Sequence, residues 1–145
     1  MHMDDSGLQV LSRRECLELL SSAEIGRIVF TDRALPAVQP VNFCLTDGHI
    51  VIRTNVGSKL AAATRRAVVA FEVDDFDPAT RTGWSVTAVG QARAVQDEVE
   101  RARLAELPLQ PWAPGDRNHY IVVQIAQLSG RRITAEATDG VTVVP

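Results

Sequence analysis

Hydrophobic positions along the chain follow two periods, and the switches between them mark out its elements. Cys16, Leu17, Leu19 and Leu20 recur at helical spacing directly after Ser12-Arg13-Arg14-Glu15, an S-x-x-E capping box, which predicts a helix over 12–23 with Gly26 just past its end. The period then shortens. GRIVFTD and PAVQPVNFCLTDGHIVIRT are dominated by β-branched and aromatic residues and predict three strands, with Asp47-Gly48 supplying the positive-φ turn of a tight hairpin. GSKLAAATRR is rich in helix formers and predicts a short helix from about Ser58. AVVAFEVDD and GWSVTAVGQARAV return to strand character, Gly90 marking a bulge or bend in the second. DEVERARLAEL predicts an amphipathic helix, PLQPWAPGDRN a Pro/Gly-rich loop, and HYIVVQIAQLSGRRIT a last long strand. Six or seven strands joined by hairpins, with two or three short helices, favour an antiparallel all-β barrel over a parallel βαβ sheet.

Composition narrows this picture. The 145 residues suit a single domain, spanning 1–145, with residues 1–10 expected to be disordered; there is no internal repeat or linker. A net charge of −3 provides no cationic footprint for nucleic acid or an anionic membrane. No apolar run approaches a spanning helix and the start carries no leader pattern, so a cytoplasmic location is expected. Cys16 and Cys44 lack any Cys-x-x-Cys or Cys/His spacing and are expected as reduced core thiols.

One residue stands out against the composition. The chain has 14 arginines and a single lysine, Lys59, inside RTNVGSKL. There Gly57 permits an unusual turn, Ser58 can cap the following helix, and that helix start directs free N–H donors outward. With Arg53, Thr54 and Lys59 beside it, the stretch holds what a phosphomonoester needs: fixed donors, a hydroxyl and cations. The competing reading is a solvated helix start, and the stretch is not a Walker A motif, because the first Gly is missing and Ser precedes Lys. Other candidates are weaker. The acidic run Glu72, Asp74, Asp75, Asp77 lacks the Gly and Glu of a calcium loop and reads as a solvated loop. GWSVT around Ser85 lacks the second Gly of a nucleophile elbow and continues as strand. His49 and His119 show no ligand spacing. Trp112 lies in the Pro/Gly-rich loop, where a large aromatic covers a core, a partner or a ring-shaped ligand.

Taken together, PAVQPVNFCLTDGHIVIRTNVGSKLAAATRRAVVAFEVDDFDPATRTGWSVTAVGQA resembles the pyridoxamine 5'-phosphate oxidase-like family of flavin-binding split barrels, over about residues 12–133. The specific parts are the strand ending in Arg53-Thr54 before Gly-Ser-Lys, the VAFEVDD strand, and GWSVTAVGQA. The resemblance implies a six- to seven-stranded antiparallel split barrel, all-β with two or three short helices. It also implies flavin mononucleotide (FMN) at a homodimer interface. Arg53, Thr54, Ser58 and Lys59 would then hold the phosphate, and the backbone of Pro40, Val41 and Asn42 would run along the isoalloxazine ring. Ser85 falls where the oxidase proper uses a glutamine against the flavin, and Trp112 and Arg131 would reach over from the other subunit. Val38, Val41, Phe43 and Trp112 are the expected cover for the exposed ring face.

The ending SGRRITAEATDGVTVVP departs from the oxidase, which closes with an Arg-Leu-His stretch and a terminal Arg-x-x-Pro. Vitamin B6 oxidation is therefore not expected. Two functions follow. One is a flavin-dependent oxidoreductase acting with a small-molecule electron donor or acceptor, in which no side chain must be acid, base or nucleophile. The other is a protein that stores, senses or carries a flavin, haem or deazaflavin coenzyme without turnover.

Overall fold

A computed structural model describes residues 2–55, 60, 66–115 and 117–135. Eight strands form one antiparallel sheet: β1 (His2–Met3), β2 (Gln9–Val10), β3 (Ile25–Asp32), β4 (Leu35–Thr46), β5 (His49–Thr54), β6 (Val68–Asp77), β7 (Thr82–Ala94) and β8 (His119–Ile133). The order is β1-β2-β8-β5-β4-β3-β6-β7, and β7 also pairs with β8, so β3 to β8 close into a six-stranded barrel as expected. Two helices are described, α1 (Arg13–Ser21) and α2 (Glu98–Leu104). The helix expected from Ser58 lies outside the described residues apart from Leu60, which is buried in the core.

Local signals set the element ends. The Ser12 side chain accepts from the Glu15 N–H and the Glu15 carboxylate accepts from the Ser12 N–H, the reciprocal capping box, and Cys16 and Leu20 on the inner stripe of α1 are buried. Asp47 and Gly48 both have positive φ, 50° and 74°, which joins β4 to β5 in a two-residue turn. A second such turn, between β3 and β4, uses Arg33 and Ala34 at φ 52° and 67°. No glycine announces it, and tertiary pairing of β3 with β4 holds two ordinary residues in a backbone region that costs each of them on the order of 1 kcal/mol.

The barrel interior is filled by alternate residues of every strand, including Ile28, Phe43, Ile52, Phe71, Val86 and Ile121, with Phe43 and Phe71 meeting edge to face at 4.7 Å. A second cluster lies outside the barrel wall: Val51, Tyr120 and Val122 on the outer faces of β5 and β8, packed with Val95 and Leu109. The unbroken apolar runs in β5 and β8 have this cause, since residues 95–109 cover the outer face of both strands.

In the stretch expected to be disordered, β1 pairs with β2 and β2 with β8. Asp4 organises that turn by accepting from the N–H groups of Ser6 and Leu8 and the Ser6 hydroxyl. These bonds, Ser6 first, hold the Asp4 carboxyl down at about 2. The acidic run expected as a solvated loop is the C-terminal half of β6 instead; Val69, Phe71 and Val73, alternating with the acids, are apolar enough to anchor the strand.

Gly90 is where the β7–β8 register shifts, the bulge expected from sequence. A Cβ built there would lie 1.7 Å from the Gln124 carbonyl oxygen, so the two backbones approach closer than any side chain permits. Gly90→Ala must part β7 from β8, and a loss of about 2–3 kcal/mol in unfolding free energy is expected in urea denaturation.

Candidate functional site

The split in the barrel comes from β4. Its last four residues, Phe43 to Thr46, pair with β5, whereas residues 35–42 pair only with β3. Val41 and Asn42 would face Thr54 and Arg53 if the β4–β5 ladder continued, but it stops at Phe43 and Ile52. Among the described residues the edge of β4 over 35–42 therefore has no strand partner on that side, and its backbone polar groups line an opening.

Arg53 and Asn42 meet the Pro/Gly-rich loop at this opening. The Arg53 Nε donates to the Arg117 carbonyl at 2.6 Å, one terminal nitrogen donates to the Leu109 carbonyl at 3.1 Å, and the other to Asn118 Oδ1 at 3.3 Å. The guanidinium also lies 5.6 Å from the centre of the Tyr120 ring. Three of its five N–H groups are thus committed to the loop, and two have no partner among the described residues. Asn42, nearly buried, accepts from the Trp112 N–H at 2.9 Å, which pins the tryptophan's backbone while 69% of the residue stays exposed. Trp112 is therefore not a core residue.

The sequence-predicted residues fall into two groups. Val41, Asn42, Arg53, Thr54 and Trp112 come together at the opening, with Pro40 exposed beside them and Thr54 buried. Ser58 and Lys59 lie outside the described residues. Ser85 and Arg131 are register partners across β7 and β8, and Ser85 pairs on its other side with Asp74 of β6, two residues along from Glu72, which shares a row with Arg27 and Pro40. Arg131 donates to the Asp4 carboxylate at 2.9 Å and to the Gly130 carbonyl at 2.9 Å. Of the expected ring cover, Val38 and Trp112 are exposed, but Val41 and Phe43 are buried in the barrel, because strand alternation turns them inward.

The outer face of β3, β4 and β6 continues from Pro40. Val38, Val29 and Ala70 lie in one row across the three strands, and Pro40, Arg27 and Glu72 in the next. Arg27 bridges Glu72 and Asp74, each at 3.0 Å, a cluster sequence reasoning did not find, since its members are 45 and 47 residues apart. Partial burial, with Asp74 alongside, pushes the Glu72 carboxyl up to about 6 despite the arginine. Both thiols are free, Cys16 buried and Cys44 half-buried, and burial raises each. Among the described residues no group of three or more His, Cys, Asp or Glu side chains is placed to hold a metal ion, and no helix is long and apolar enough to cross a membrane.

A family model described as pyridoxamine 5'-phosphate oxidase matches residues 12–132. The chain belongs to the pyridoxamine 5'-phosphate oxidase-like family. It is 40% identical over 132 residues to the uncharacterized protein Rv0080 of Mycobacterium tuberculosis, covering 88% of this chain and 86% of that one. Among solved structures it is similar to the FAD binding protein from Mycobacterium smegmatis, with 37% identity, a TM-score of 0.74, and coverage of 86% of this chain and 98% of the other. A conserved protein of unknown function from Corynebacterium diphtheriae matches at 29% identity and a TM-score of 0.74, over 88% of this chain and 98% of that one.

Two outcomes follow from the geometry. Arg53→Lys keeps the charge but loses the fork that grips the Leu109 and Arg117 carbonyls, so amide hydrogen exchange over residues 109–118 should accelerate at least about ten-fold while barrel amides are unchanged. Glu72, with a folded value near 6 against the ordinary 4.5, holds its proton more tightly folded than unfolded. Its contribution to stability is complete below pH 4.5 and is lost as pH rises through about 6. Because the group is partly solvated, urea titrations at the two ends of this window should differ by about 1 kcal/mol from this source, and Glu72→Gln should remove the difference.

Proposed function

We propose that the protein is a flavin-binding homodimer working as an oxidoreductase on a small molecule. The observation that carries this reading is the unpaired edge of β4 at Pro40–Asn42, facing Arg53 and Thr54, with Trp112 held beside it by Asn42. A flavin ring edge needs an array of backbone donors and acceptors, its face needs an apolar or aromatic surface, and its phosphate needs cations and N–H groups. The opening offers the first two. Arg53, with two N–H groups left, Thr54, Ser58 and Lys59 are assigned to the third. When bound, the isoalloxazine supplies hydride or electron transfer; the chain binds it, orients it and excludes water.

The apolar outer face beside the opening supports the dimer. The outer row Val38, Val29 and Ala70, with Val38 61% exposed, borders the opening and supplies an apolar surface to pair. The flavin is assigned as FMN from the phosphate-holding stretch. A second reading, FAD, is favoured by the 37% identical M. smegmatis FAD binding protein. Carriage of a flavin, deazaflavin coenzyme or haem without turnover is the competing function.

The decisive experiment is spectral. The purified protein should show a bound flavin, released by denaturation and distinguished as FMN or FAD by mass. NADPH, NADH or reduced deazaflavin should bleach it anaerobically, and an added acceptor should restore it. A flavin that no donor reduces would instead identify a carrier. Lys59→Ala should weaken FMN ten-fold to a hundred-fold and leave riboflavin, which has no phosphate, almost untouched. Equal losses for both ligands would remove Lys59 from the phosphate site. Light scattering should give about twice the 15.8 kDa chain mass.

A further inference from the structure

We propose that the cleft between α2 and the outer faces of β5, β7 and β8 is a second binding site, separate from the β4 opening, for a small organic anion with an apolar body. α2 covers the sheet loosely: none of its side chains is buried, and Val99 is 71% exposed. Beneath it lies a cavity of about 220 Å³, walled by Val51, Leu104, Leu107 and Val122 and rimmed by His49, Arg93 and Arg103. A neighbouring recess of about 370 Å³ shares His49, Arg93 and Val122 with it and adds Arg66, Gln91 and Gln124. The two together have an apolar half and a polar half that meet at His49 and Arg93. That division suits an aromatic or short aliphatic carboxylate, or a comparable phosphate ester.

Charge decides the sign of the ligand. Arg93 and Glu100 form a bidentate pair at 2.8 and 2.7 Å and neutralise each other. Arg103 and Arg66 have no ion-pair partner among the described residues, and the remaining acid on the lining is Asp47, at the turn of the β4–β5 hairpin. Arg93, Arg103 and His49 all act on Glu100 and hold its carboxyl below the ordinary range, the Arg93 bonds most strongly. Over the two recesses together three arginines, Arg66, Arg93 and Arg103, face two acids, Asp47 and Glu100, an excess of one cation before His49 is counted. The His49 ring is fixed by a 2.9 Å contact between Nδ1 and the Asp47 carbonyl. His49, Val51 and Arg53 alternate onto one face of β5, which puts this cleft roughly 13 Å along the strand from Arg53.

Benzoate is the probe, titrated into the intact protein and followed by the methyl resonances of Val51, Leu104, Leu107 and Val122. Saturable shifts at these methyls are expected with benzoate and not with benzamidine, the cation of similar shape. Arg103→Gln, an exposed helix position, should weaken benzoate about five-fold, and Arg66→Gln combined with it should weaken it further. The shifts should persist when FMN is present. Absence of saturable shifts, an equal response to benzamidine, affinity indifferent to both arginines, or displacement by FMN would each overturn the assignment.

Discussion

The architecture depends on β8, which is paired on both edges and, over Tyr120 to Val123, buried on both faces. One edge closes the barrel against β7, and the other carries β5 and then β2. Its inner residues Ile121 and Val123 complete the barrel core, and its outer residues Tyr120 and Val122 complete the second cluster.

The opening depends on a different constraint, the parting of β4 from β5. Strand edges are usually paired or hidden, because unpaired backbone groups recruit other chains or must be hydrated. Here β5 ends at Thr54 while β4 continues, and the exposed edge is partly screened by the 109–118 loop. Asn42 and Arg53 carry out that screening together, one bonding the loop at Trp112, the other at Leu109, Arg117 and Asn118. Both lie at the point where the strands separate.

What could be read in the sequence was local in origin. The capping box, the Asp47-Gly48 turn and the Gly90 bulge are each specified within a few residues, and each appears where expected. The family's motifs pointed to Asn42, Arg53 and Trp112 as site residues but assigned Trp112 to the other subunit, whereas its backbone is held by Asn42 of the same chain. Features set by long-range partners were not. The Arg33-Ala34 turn has no turn residue to announce it, because strand pairing imposes it. The grip of Arg53 on the loop joins residues 56 to 65 positions apart, the Arg27 cluster spans 45 and 47, and the Asp4–Arg131 clasp spans 127. The inward turn of Val41 and Phe43 follows from register, which composition alone does not reveal.

The way Arg53 holds the loop bears on how such a protein can change over generations. Two of its three loop acceptors are main-chain carbonyls, of Leu109 and Arg117, and a carbonyl is the same whatever side chain it belongs to. Replacements between those two anchors leave the tether intact provided the backbone path is kept. The loop can therefore accumulate new side chains over the opening while remaining docked. A lineage built this way can diversify what it admits to the opening without first redesigning the barrel.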